Sequence, residues 1–91
     1  MSQKLITGVL KVNYLTPTLW PAETTRFGWI MRNLSGVTVY IGDKTVSKQT
    51  GFPIFHGEMF RDSEFFSYQG EIWLISDSGI AVFVNFLKFL S

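Results

Sequence analysis

The residues best suited to chemistry in this 91-residue chain lie close together: His56, the sole histidine, is followed by Glu58, Asp62 and Glu64. An imidazole beside carboxylates is the raw material of general acid–base catalysis, and with a serine it makes a hydrolytic triad. That chemistry also needs the serine on a strained turn of the G-x-S-x-G kind, and none of the serines sits in such a motif. Glu58 paired with Asp62 or Glu64 would suit glycoside hydrolysis, but the three fall in a segment patterned as hairpin and loop surface, where a solvated face accounts for them. A metal site needs two or more good ligands at suitable spacing, which one histidine, scattered carboxylates and no cysteine do not supply. No glycine-rich phosphate loop is present. The expectation is a non-enzymatic chain with no catalytic residue, metal or cofactor, in which His56 is a turn residue hydrogen-bonded to backbone.

Aromatic faces offer a second kind of chemistry, because exposed rings on a sheet stack on sugars as they do on bases. Tyr40 and Trp73 are the residues for such a surface contact, Tyr40 because it alternates against Val39 and Ile41. Nine phenylalanines argue the other way: this chain uses rings generally as packing material.

The elements that position these residues read as strands. Apolar alternation runs through Lys4–Tyr14, and residues 1–10 form an edge strand or an N-terminal arm. Leu15–Thr25, with Pro17 and Pro21, is a connecting loop or sheet edge. From Arg26, the residues Phe27, Trp29 and Met31 share one face, and Gly28 and Ile30 share the other with Arg26 and Arg32. Asn33-Leu34-Ser35-Gly36 ends that run as an Asx-type turn. Val37, Val39 and Ile41 alternate with Thr38 and Tyr40, and the short turn predicts an antiparallel hairpin between these two strands. Phe52–Phe60, carrying Pro53 and Gly57, reads as two short extended pieces meeting at a bend. Phe65 and Phe66 lead to a Gln69-Gly70 turn. The strand Glu71–Ser76 follows, and Asp77-Ser78-Gly79 closes a hairpin with Ile80–Phe89. In that last strand Ile80, Val82, Val84 and Phe86 line one face, and Ala81, Phe83, Leu87 and Phe89 line the other. A strand apolar on both sides is buried on both sides, so the second set is the expected oligomer or shell interface. The fold class is all-β: a small antiparallel sandwich or barrel, jelly-roll-like, of about 6–8 strands with no substantial helix.

The order of parts in Arg26–Ile54, RFGWIMRNLSGVTVYIGDKTVSKQTGFPI, carries a resemblance. An arginine opens an apolar strand that closes on Asn33, a Ser-Gly turn leads into VYIG, and a Gly51-Phe52-Pro53 corner follows. This run resembles small virion proteins of tailed bacteriophages, and the likeness continues more weakly through Gly57-Glu58 and the strand and turn of Ile72–Ser78. It departs from that pattern at Trp29 and Met31, which are bulkier than the small aliphatic residues usual there. The resemblance implies a structural virion subunit, first a capsid decoration or cement protein, alternatively a head-fibre, tail or adaptor subunit. A carbohydrate-binding module for host attachment is the reading from another class.

Size and composition agree with an adhesive role. Ninety-one residues make one domain, 1–91, whose core is small enough to want support. No cysteine can supply it, and only 16% of residues are charged, against roughly 25% in an average soluble domain. A surface so short of charge is expected to be covered in an assembly, by other copies in a homotrimer and by a major capsid protein or other virion subunit. The net charge is +1 with basic residues scattered along the chain, which disfavours nucleic acid as a partner. The N-terminal stretch has no secretory pattern and no run approaches a membrane span, so the expected location is the virion after synthesis in the host cytoplasm, with no membrane contact.

Overall fold

A computed structural model describes residues 4–23, 26–62, 70–77 and 79–90. Among them are eight strands and no helix: β1 (Lys4–Val12), β2 (Thr18–Trp20), β3 (Arg26–Arg32), β4 (Val39–Gly42), β5 (Phe52–Ile54), β6 (Met59–Arg61), β7 (Ile72–Ser76) and β8 (Val82–Leu90). They form two four-stranded sheets, ordered β1-β8-β3-β6 (sheet A) and β2-β7-β4-β5 (sheet B), with every pairing antiparallel. The architecture is a sandwich with two separate sheets, as the alternating pattern requires when each strand has one apolar row to bury. The predicted Gln69 turn and the phenylalanines at 65 and 66 lie outside the described residues.

Two pairings differ from the sequence expectation, for one reason. The hairpin expected between the strands on either side of Asn33 does not form: β3 pairs with β6 and β8, while β4 pairs with β5 and β7 in the opposite sheet. The strands on either side of Asp77 likewise lie in different sheets, so β7 and β8 are not a hairpin either. Turn chemistry reports where the chain reverses, and a reversal that steps across the sandwich uses the same residues as one that stays in a sheet. Of the neighbours in sequence, only β4 and β5 pair directly.

The core lies between the sheets. Trp29 and Met31 of β3, Val82 and Val84 of β8 and Val12 of β1 face Val39 and Ile41 of β4, Ile54 of β5, Ile72 and Leu74 of β7 and Trp20 of β2. Trp20 meets Trp29 edge to face, with centroids 5.5 Å apart, and lies at the same distance from Phe86. Such ring pairs add roughly 0.5–1.5 kcal/mol beyond their buried area. Ile80 departs from the expected inward row; it precedes β8 and is exposed.

Arg26 also departs from the alternation. Simple period-two counting places it with Gly28 and Ile30, yet it is completely buried. The pairing of β3 with β8 runs Arg26↔Leu90 and then Gly28↔Phe89, so one extra residue is inserted between them. This bulge shifts the phase of the strand by one and turns Arg26 to the inner face. There its guanidinium lies 4.4 Å from the Trp20 ring and donates from Nη1 to Pro21 O (3.2 Å) and from Nη2 to Gly70 O (2.9 Å). Hydrogen bonding and stacking are the conditions under which a buried cation is tolerated.

Candidate interaction surface

Among the described residues, those with catalytic potential make contacts within turns. His56 is exposed and its Nδ1 accepts a hydrogen bond from Gly36 N–H at 3.0 Å, which ties the β5–β6 turn to the turn after Asn33. Glu58 folds back on the same turn, where its Oε1 accepts from Phe55 N–H at 2.8 Å. Glu64 lies outside the described residues. No group of three or more potential metal ligands occurs among the described residues. A scan against models of known protein families and a search of curated proteins found no match.

Asn33 is the polar centre of the fold. It is fully buried, and its Nδ2 donates to Val37 O and Ile54 O, both at 2.7 Å. Its Oδ1 accepts from Ser35 N–H at 3.0 Å, the Asx turn expected from the sequence, and from Ser35 Oγ at 2.6 Å. The backbone of Asn33 adds bonds to Glu58 O and from Gly57 N–H. One side chain therefore joins the end of β3 in sheet A to the segment leading into β4 and to the end of β5 in sheet B.

The two outer faces of the sandwich differ. On sheet B, Leu19, Trp73, Ile75, Tyr40 and Pro53 share the outer row by register. Tyr40 and Trp73 are thus brought to one face as diagonal neighbours, since Tyr40 is opposite Ile75 and Trp73 opposite Gly42. Both are half-buried. The loop 43–51 returns over this face: Val46, 5% exposed, sits against Gly42, and Gly51 presses on Tyr40. A Cβ on Gly51 would come within 2.5 Å of the Tyr40 Cβ, so only glycine permits that approach. Lys48 at 3.1 Å from Asp77 pins the loop's far side. Asp43 begins the loop, and the Thr45 hydroxyl and then the Thr45 N–H, at 2.6 and 2.9 Å, hold its carboxyl below the ordinary aspartate value.

No such cover lies over sheet A among the described residues. By register its outer face carries Leu5, Thr7, Val9 and Lys11 of β1, then Phe83, Asn85, Leu87 and Phe89 of β8. Ile30 and Arg32 of β3 and Met59 and Arg61 of β6 continue it. Leu5, Val9, Met59 and Phe83 are each more than half exposed, at 62, 57, 64 and 56%. Leu87 and Phe89 are half-buried by their neighbours, and Ala81 lies just before the strand, also half-buried. A shallow groove of about 500 Å³ crosses the face between Val9, Ile30, Arg32, Met59, Asn85 and Leu87. Its described charges, Lys11, Arg32 and Arg61, are all cationic. The sequence signalled the β8 row; the contributions of β1, β3 and β6 were not readable because they depend on which strands lie beside β8.

A second concavity was not signalled at all. Between the edge strands β5 and β6, a cleft of about 460 Å³ is lined by Trp29, Ile41, Phe52, Phe60, Asp62 and Glu71. Phe52 and Phe60 close its mouth with ring centroids 5.4 Å apart. Asp62 Oδ2 is buried there without a hydrogen-bond partner.

Proposed function

We propose that this chain is a non-enzymatic structural subunit of a tailed-phage particle, most simply a capsid decoration or cement protein, which adheres through the outer face of sheet A. The observation that carries the reading is the contrast just described: a sandwich with a complete core of its own still displays a second apolar face. Burying a Leu, Val, Phe or Met side chain is worth roughly 1.5–3 kcal/mol, so a face with several of them is costly to leave in water. Lys11 and Arg32 on it suit a partner surface that is apolar with carboxylates at its margin. The resemblance of Arg26–Ile54 to small phage virion proteins supports the same class, with a head-fibre, tail or adaptor position as the nearest alternative. A carbohydrate-binding role draws less support, because Tyr40 is partly enclosed by the chain's own loop.

The test has two parts. Mass spectrometry of purified particles from the genome that encodes the chain should detect it as a stoichiometric component. Purified protein added to particles lacking it should bind, and Phe83→Ser with Leu87→Ser should weaken that binding by tenfold or more while the fold is kept. Absence from the particles would sink the virion reading, and binding unchanged by the double substitution would sink the assigned face.

A further inference from the structure

The four sheet edges are not alike. A bare edge offers unpaired N–H and C=O groups to any extended chain, and proteins blunt such edges with short strands, prolines or bulges. In sheet B, β2 has three residues between Pro17 and Pro21, and β5 has three residues with Pro53 in the middle. In sheet A, β6 is three residues long. The fourth edge, β1, has nine residues, no proline and an unbroken register with β8. Its other side pairs with no strand, and its outward backbone groups have no partner among the described residues.

We infer that β1 is a strand-addition site whose occupant is β1 of a second copy, paired antiparallel about a two-fold axis at Gly8. That register uses all nine residues, placing Lys4 opposite Val12, Leu5 opposite Lys11, Ile6 opposite Leu10 and Thr7 opposite Val9 of the other copy. Each lysine faces an apolar residue, so no like charges are opposed, and the half-buried Ile6 and Leu10 meet on the inner side. An isologous contact of this kind closes as a dimer. Area supplies a second argument. Four strands about 4.8 Å apart with outer rows about 20 Å long present roughly 400 Å². A standard interface takes about 800 Å² from each partner. Joining two copies at β1 makes one eight-stranded sheet whose continuous outer face reaches that size. The match in area rests on the adhesive reading, whereas the open edge and the register of β1 do not.

The experiment is sedimentation equilibrium on the wild-type chain and two exposed-face variants, with circular dichroism to confirm that each folds. The expected result is a monomer–dimer equilibrium for the wild type. In T7K/V9K every Thr7–Val9 cross-pair becomes lysine against lysine, and dimerisation should weaken by tenfold or more. In T7E/V9K the same pairs become glutamate against lysine, and dimerisation should return to at least the wild-type level. A chain that is monomeric up to about 1 mM, the limit of useful association, would overturn the proposal. So would a trimer, or two variants that dimerise equally well. Sedimentation of the Phe83→Ser/Leu87→Ser protein separates this contact from the adhesive role: both positions lie on β8, outside the β1 pairing, so the dimer should persist whatever becomes of particle binding, and its loss there would overturn the assigned contact.

Discussion

The outer faces of sheets A and B begin from the same rule, an alternating strand with one row turned away from the core, and end differently. On sheet B the chain covers its own row: Val46 fills the space above Gly42, Gly51 closes on Tyr40, and Lys48 reaches Asp77. On sheet A nothing among the described residues returns over Phe83, Leu87, Val9 or Leu5. A nine-residue loop with one apolar side chain is enough to finish a face, and among the described residues sheet A has no counterpart to it. What distinguishes the covered face from the face proposed as adhesive is thus the path of a loop, with ring content a poor guide, since both faces carry aromatic residues.

The largest effect is expected where the two halves are joined. Asn33→Ala leaves Val37 O and Ile54 O without their side-chain donor and breaks the Asx turn, and should cost about 3 kcal/mol in urea denaturation of the whole domain. A loss below about 1 kcal/mol would mean that the sheets do not depend on this junction. Next, Gly51→Ala drives a methyl into Tyr40 and into Ser47 O, and should destabilise by about 2 kcal/mol, with tyrosine and tryptophan fluorescence reporting a loosened sheet B face. If that substitution altered self-association or particle binding before stability, the division of labour between the faces would be wrong. By contrast, Phe83→Ser should change stability by no more than about 0.5 kcal/mol, because its side chain is largely in water, while reducing adhesion. Equal losses at positions 51 and 83 would erase the contrast.

The smallest effect is a pH dependence confined to sheet B. Asp43 is held below its ordinary value by Thr45, so the folded loop binds its proton less readily than the unfolded chain does. Its contribution is therefore complete above the ordinary aspartate range and is lost as pH falls through the lowered value. An NMR titration should show the Thr45 amide shifting in acid, Asp43→Asn should abolish that shift, and resonances of the sheet A face should not follow it.

Much of the fold was legible, and the failures have physical causes. The periods of two in Lys4–Tyr14, Val37–Ile41 and Ile80–Phe89 named strands, and in the last two also the inward row, Ile80 excepted, because side-chain alternation is a local property. The Asx turn at Asn33 and the backbone bond of His56 were legible for the same reason. Pairing partners were not, because turns at Ser35-Gly36 and Asp77 specify reversal and not destination. The bulge before Gly28 was hidden because Phe27 reads as an ordinary member of the alternation, and so Arg26 was placed on the wrong face. The outer row of sheet A, the face proposed as adhesive, was half visible: Phe83, Leu87 and Phe89 could be named from β8 alone, but the exposed Leu5, Val9 and Met59 join them only through the ladder.

The position of β8 also governs when this protein can fold. It lies between β1 and β3, so two of the three ladders of sheet A need it, and the β1–β8 ladder joins residues 4–12 to residues 82–90. During synthesis β1 therefore waits, unpaired and apolar, until nearly eighty further residues have been made. Such distant ladders fold slowly, on the millisecond-to-second scale typical of all-β sandwiches. Over that interval the pairing inferred for β1 would be open to the β1 of neighbouring nascent copies, so lowering the expression level should raise the share of chains that reach the native state.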